Sequence, residues 1–138
     1  MLNTLAIRKA VIKRAGMNMK KVLIIDDEPL ITEVLDFFAQ KIGYESDAAH
    51  SGNSALERID SNRYFAVFCD LQMPGLNGME IYERLKELNE GLSEKFILLT
   101  GSVLDQHMEA KVAKQSIRVL QKPFHFENIK EVFTQLEL

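Results

Sequence analysis

Asp26, Asp27, Asp70, Thr100 and Lys122 each stand at the end of, or just beyond, a short apolar run. Three carboxylates, a hydroxyl and an ammonium suffice to hold a hard divalent cation and to receive a phosphoryl group. Three acids in one crevice repel, and some stay protonated unless a cation compensates them. Mg2+ is the natural compensator, since it takes oxygen ligands, keeps several waters and bridges carboxylates to phosphate. Lys122 adds a fixed positive charge. An Asp carboxylate can attack phosphorus and form an aspartyl phosphate. Such transfers depend on positioning and charge neutralisation, which a metal and a lysine provide. The Thr100 hydroxyl can donate a hydrogen bond to a phosphoryl oxygen.

The surrounding chain predicts the elements that bring these groups together. Residues 21–25 form a short β-branched run, read as a buried strand. Pro29 opens a helix, with Ile31, Val34, Leu35 and Phe38 at i, i+3, i+4 and i+7. Gly43 closes that helix. Residues 44–49 read as a more polar edge strand, and Ser51 caps a short helix with Ala55, Leu56 and Ile59 inward. A third strand spans 64–69. A loop rich in Gly and Pro follows over 71–78. A helix over 79–89 comes next, ended by Gly91. Strands are predicted over 96–99 and 117–120. Between them, residues 105–115 form a helix with a thin apolar face, mainly Met108 and Val112. Ile129, Val132, Phe133 and Leu136 give a last helix.

The pattern is strand–helix repeated five times, which predicts an α/β fold: a doubly wound parallel sheet with helices on both faces and right-handed crossovers. Such sheets bind ligands beyond the carboxyl ends of their strands. The five polar residues fall there.

Bulk properties narrow the class. The chain has 138 residues, 46% of them hydrophobic and 27% charged, as expected for one globular domain. Its net charge of −3 argues against nucleic-acid binding. Cys69 is the only cysteine, so disulfides and cysteine metal clusters are excluded. No run approaches the roughly 18 apolar residues that a membrane span needs, and no secretory pattern opens the chain. A cytoplasmic setting is expected, with no membrane partner. Residues 1–18 carry Arg8, Lys9, Lys13 and Arg14 and no acid. They read as a basic extension, flexible or opportunistically packed, ahead of an acidic domain over 19–138.

Four stretches together resemble a known family. VLIIDDE at 22–28, CDLQMPGLNG at 69–78, LLTG at 98–101 and LQKPF at 120–124 are similar to the motifs of a response-regulator receiver domain of two-component signalling. The resemblance covers 19–138. It implies a flavodoxin-like (βα)5 fold with strand order 2-1-3-4-5. It implies Asp70 as phosphoacceptor, Thr100 as switch hydroxyl and Lys122 as partner of the phosphoryl group. It also implies Mg2+ held by Asp26, Asp27, Asp70 and the backbone carbonyl of Gln72. A cis peptide before Pro123 is expected too. The phosphodonor would be a sensor histidine kinase or a histidine phosphotransfer protein, and the chain a regulator rather than an enzyme. The readout would be a surface of the last two helices and the fifth strand, facing a downstream protein or a second copy. One residue departs from the pattern: Val119 stands where the family usually has a switch aromatic, three residues before the lysine. That departure resembles receivers attached to hybrid sensor kinases.

Two other readings compete. A haloacid-dehalogenase-like phosphatase also uses Asp, Mg2+, Thr and Lys, but places its nucleophile after the first strand. A phosphate-independent interaction module would have lost site residues, and all five are present here. No output segment follows residue 138, so a stand-alone regulator or part of a larger protein is expected. Cys69 reads as packing, and Met73 and Met79 as gap-fillers. His50, His107 and His125 lack ligand-like spacing.

Overall fold

In the computed structural model, residues 4–14 and 19–138 are described. Five apolar or mixed runs become strands: β1 (Lys21–Ile25), β2 (Glu45–Ala49), β3 (Ala66–Asp70), β4 (Phe96–Thr100) and β5 (Arg118–Gln121). They form one sheet in the order β2-β1-β3-β4-β5, with every neighbouring pair parallel. The expected topology is met. β3 and β4 are buried throughout, as central strands covered on both faces must be. The polar β2 and β5 take the edges.

Among the described residues, seven helices accompany the sheet: α1 (Thr4–Arg14), α2 (Pro29–Ile42), α3 (Gly52–Ser61), α4 (Gly78–Leu88), α5 (Glu90–Ser93), α6 (Gln106–Gln115) and α7 (Phe126–Leu136). Successive strand residues face opposite ways, so the core divides in two. Leu23, Ile25, Val67, Cys69 and Leu98 pack with α3, α4, α5 and Val112 of α6. Val22, Ile24, Phe68, Ile97 and Leu99 pack with α2 and α7.

Local chemistry sets the helix ends. Pro29 occupies the first turn of α2, and Gly43 ends it at φ 105°, its N–H reaching the Ala39 and Gln40 carbonyls. The Ser51 side chain accepts the Ser54 N–H at 3.1 Å, and Asp105 accepts that of Met108 at 2.8 Å. Asn77 and Glu80 form a capping box at α4.

Several boundaries differ from the sequence reading by a residue or two, and three of them have a visible cause. Gly91 does not end the fourth helix. Asn89 does so, and its side chain accepts the Leu92 N–H at 3.1 Å, starting α5 with Gly91 inside it. Tyr64 and Phe65 precede β3 rather than belonging to it, Phe65 being tied back to the Lys21 carbonyl at 2.7 Å. The start of the second predicted strand, Tyr44, packs inward, 2% exposed, and stacks on Phe133 at 4.3 Å.

The expectation of a loose extension over 1–18 lies partly outside the described residues. Residues 4–14 are a helix. Arg8 donates to the Ile42 carbonyl at the end of α2 and lies 5.4 Å over the Tyr44 ring. A Cβ added at Gly43 would stand 2.9 Å from Arg8, so the glycine makes room for this guanidinium. Among the described residues, no helix is long and apolar enough to cross a membrane.

Candidate functional site

The site lies at the carboxyl ends of the central strands. β1 ends one residue before Asp26, which is fully buried. Its N–H bonds the Ala49 carbonyl at 3.1 Å, which extends the β1–β2 ladder by one step. Its Oδ1 accepts the Glu28 N–H at 2.9 Å, at the entrance to α2. Asp27, next in the chain, is exposed. Asp70 is the last residue of β3 and Thr100 the last of β4, each 5% exposed. Lys122 follows β5, and its N–H bonds the Thr100 carbonyl at 2.7 Å. Its peptide bond to Pro123 is cis, as expected.

Lys122 connects the acids. Its Nζ lies 2.9 Å from Asp26 Oδ2 and 3.3 Å from Asp70 Oδ1. Carboxylate oxygens of Asp26, Asp27 and Asp70 all lie within 4.8 Å of one another. Burial raises the Asp70 carboxyl above the usual carboxylate range. Asp26 pushes it further, and Lys122 partly offsets both. For Lys122, burial disfavours the charge, but the hydrogen bonds and charges of Asp26 and Asp70 outweigh it and raise its pKa. Three carboxylates against one ammonium leave an excess of negative charge. An all-oxygen donor set of that kind fits a hard divalent cation.

Gln72 lies on the exposed loop two residues past Asp70. It lines an open cavity of about 570 Å3 with Met73, Asn77, Leu104 and Met108. The loop returns tightly. The Gly78 N–H bonds the Leu71 carbonyl at 2.9 Å, and a Cβ at Gly78 would meet the Asp70 carbonyl at 2.6 Å. A glycine is therefore required beside the strand end. The Thr100 hydroxyl is engaged within its own loop. It donates to the Ser102 carbonyl at 2.7 Å and accepts the Ser102 N–H at 3.3 Å. Sequence reasoning missed Ser102. The Thr-x-Ser spacing, which favours a local hydroxyl–backbone turn, was the available signal. Val119 is 36% exposed and lines a separate cavity of about 280 Å3 with Thr100, Val103 and Leu104.

Cys69 is fully buried, and burial raises its thiol well above the usual range, which suits packing. Met73 and Met79 are also buried. His50, His107 and His125 are exposed; His50 Nε2 lies 3.3 Å from the Thr32 hydroxyl.

Residues 22–134 match the family described as the response regulator receiver domain. The chain belongs to that family. As a receiver domain, it is 31% identical over 116 residues to sporulation initiation phosphotransferase F of Bacillus subtilis, covering 83% of this chain and 91% of that one. It is 28% identical over 112 residues to the transcriptional regulatory protein CrdR of Helicobacter pylori. That match covers 80% of this chain but 52% of the longer relative. Among solved structures, the response regulator TrrA of Thermotoga maritima, in complex with Mg2+ and beryllofluoride, is 34% identical. It has a TM-score of 0.75 over 86% of this chain and 99% of that one. The chemotaxis protein CheY4 of Vibrio cholerae, at 23% identity and a TM-score of 0.77 over 86% of this chain and 99% of that one, shares the fold. The receiver domain is the signal-receiving part of two-component response regulators. A haloacid-dehalogenase-like phosphatase is not supported: the candidate nucleophile follows β3, and the whole sheet matches receivers.

Proposed function

We propose that this receiver domain is a phosphoryl-accepting switch in which Asp70 takes the phosphoryl group. The observation that carries this reading is the Lys122 ammonium, bonded to Asp26 and Asp70 at once with Asp27 alongside. Asp70 Oδ attacks the phosphorus of a phosphohistidine. The P–N bond breaks as the O–P bond forms, and the imidazole leaves with the electron pair. Lys122 offsets the charge added at Asp70, and the Thr100 hydroxyl swings from Ser102 to a phosphoryl oxygen. Asp26, Asp27 and Asp70, with the Gln72 carbonyl, would hold Mg2+. When bound, the metal neutralises charge on the phosphoryl oxygens.

The donor is a sensor histidine kinase or a histidine phosphotransfer protein. Leu30, 67% exposed in the first turn of α2, offers it an apolar contact next to the acids, and Phe37, 57% exposed, continues that face two turns along the helix. The domain is a regulator. It takes part in phosphotransfer and in loss of its own phosphoryl group, and turns over no separate substrate. Its readout surface is α6, β5 and α7, facing a downstream protein or a second copy. We place it in the cytoplasm, with residues 1–18 as a basic extension to a receiver unit over 19–138. The intact set of five site residues favours this over a phosphate-independent module.

Incubation with acetyl phosphate and Mg2+ should add one phosphoryl mass to the wild type. Asp70→Asn should gain none. Equal labelling of the two proteins would remove Asp70 from its role.

A further inference from the structure

The pole of the sheet opposite the acids carries a second cluster of charge. A cavity of about 530 Å3 opens there, lined by Met19, Lys20, Lys21, Glu45, Arg63, Tyr64 and Phe65. Its cations are held in place by their surroundings. Lys20 Nζ lies 4.5 Å and Lys95 Nζ 4.1 Å from the centre of the same Phe65 ring. Two ammonium groups are thus drawn to one aromatic face system despite their mutual repulsion. The backbone fixes this convergence: Phe65 N–H bonds the Lys21 carbonyl at 2.7 Å, and Val67 N–H bonds the Lys95 carbonyl at 2.9 Å. Tyr44 stacks on Phe65 at 5.7 Å and backs the ring.

The nearby acids do not use up this charge. Glu137 accepts from Lys20 at 2.8 Å and from the Tyr44 hydroxyl at 2.5 Å. Asp47 lies 3.6 Å from Lys21 and 3.8 Å from Arg58, and accepts the Tyr64 hydroxyl at 2.7 Å. Glu45 lines the cavity itself. Arg63 has no ion-pair partner among the described residues, and Lys95 has none either, although Glu137 feels its field. An unpaired guanidinium has the fork geometry that binds phosphate oxygens in pairs, and positioned ammoniums add point charges.

We infer that this cavity is a binding site for a phosphate dianion, free or carried on a small phosphomonoester, with Arg63, Lys20 and Lys21 as its lining cations and Lys95, held over the Phe65 ring, adding charge beside it. Phe65 is already in contact with Tyr44, Lys20 and Lys95, so the phosphate is recognised by charge rather than by stacking of its carrier. The site is independent of Asp70 and lies at the amino-terminal edge of β1, β3 and β4.

The test uses the full chain, isotopically labelled, in chelator so that the acidic pole repels anions. Inorganic phosphate and adenosine monophosphate are titrated separately while amide resonances are followed. Saturable shifts confined to residues 19–21, 63–65 and 95 are expected. They should weaken with added salt, and Arg63→Gln with Lys95→Gln should weaken binding about tenfold. The same double variant should label at Asp70 from acetyl phosphate as the wild type does, which separates this site from the switch. Tighter binding of adenosine monophosphate would identify a carried phosphate, and equal binding the free anion. Shifts that do not saturate, that chloride reproduces, or that survive the double substitution would overturn the assignment.

Discussion

Thr100 donates its hydroxyl hydrogen to the carbonyl of Ser102, 2.7 Å away. In this arrangement the hydroxyl serves the loop and not Asp70. A phosphoryl group on Asp70 must therefore compete with a bond already made, and winning it frees the 101–105 segment. The neighbouring α6 has Val112 as its one buried residue, so it belongs to the easily opened part of the domain. Val119 has no ring to lock the shift. Beryllofluoride with Mg2+ should change hydrogen exchange across residues 100–115, as a shift of populations. Thr100→Val should still label at Asp70 but lose most of that change. Unchanged exchange over 100–115 with large changes elsewhere would place the output on another surface.

Asp70 should lower the stability of the metal-free protein. Its carboxyl titrates above the ordinary 3.8 when folded. Between those two values the native state holds more protons than the unfolded one. Stability therefore falls as pH rises through that window and stays reduced above it. In chelator at pH 7, Asp70→Asn should melt higher than wild type. The gap should shrink as pH drops below the ordinary carboxylate value. Thermal melts across pH check both the sign and the window; a lower melting temperature at pH 7 would contradict it.

Lys122 should matter in proportion to the metal that is missing. Asp26 is fully buried, and Lys122 is the cation bonded to it. Lys122→Met leaves that carboxylate with only the Glu28 N–H. In chelator this should cost about 3 kcal/mol of stability, at the low end for breaking a buried pair, since Lys122 keeps 16% exposure. Saturating Mg2+ should recover part of the loss by supplying the cation. A cost that is the same with and without Mg2+ would argue against a metal site here.

Asp27 differs from Asp26 in being exposed and in making no ion pair among the described residues. Asp27→Ala should raise the melting temperature in chelator by relieving like-charge repulsion. It should also abolish the stabilisation that Mg2+ gives the wild type. Calorimetric melts with and without Mg2+ test both halves.

Arg8 and Gly43 should prove energetically coupled. Arg8→Ala removes the bond to Ile42 and the stack on Tyr44 and should cost about 1 kcal/mol. Gly43→Ala should cost more in the wild type than in the Arg8→Ala background. In the wild type the methyl meets both the positive φ and the guanidinium; in the variant only the φ remains. Equal penalties would mean that α1 rests on the domain without being fitted to it.

Much of this was legible in the sequence because short-range chemistry and long-range position agree. Pro29 and Gly43 bracket α2 by local backbone rules alone. Asp26, Asp70, Thr100 and Lys122 each close or follow a run that burial makes a strand, and parallel topology then gathers them. What escaped depends on partners distant in sequence or on competing local bonds. Asn89 outcompetes Gly91 because its side chain can cap the next turn. Phe65 falls just ahead of its strand, its N–H on the Lys21 carbonyl and its ring beside Lys20, Lys95 and Tyr44, partners distant in sequence. The placement of Arg8 is set by a helix end 34 residues away, which no periodicity within residues 1–18 reveals.

Helix α2 runs from the acids to Arg8, and its 14 residues span about 21 Å. Its backbone dipoles point their positive end at Asp26 and Asp27 and their negative end at the guanidinium, so each pole meets the charge it favours. That length is more than twice the roughly 8 Å screening distance of physiological salt. The rod thus joins the two ends mechanically while salt isolates them electrically. Charge changes at one end should add to those at the other without cross-talk, and any coupling between them in a double-mutant cycle would report movement of the helix as a body.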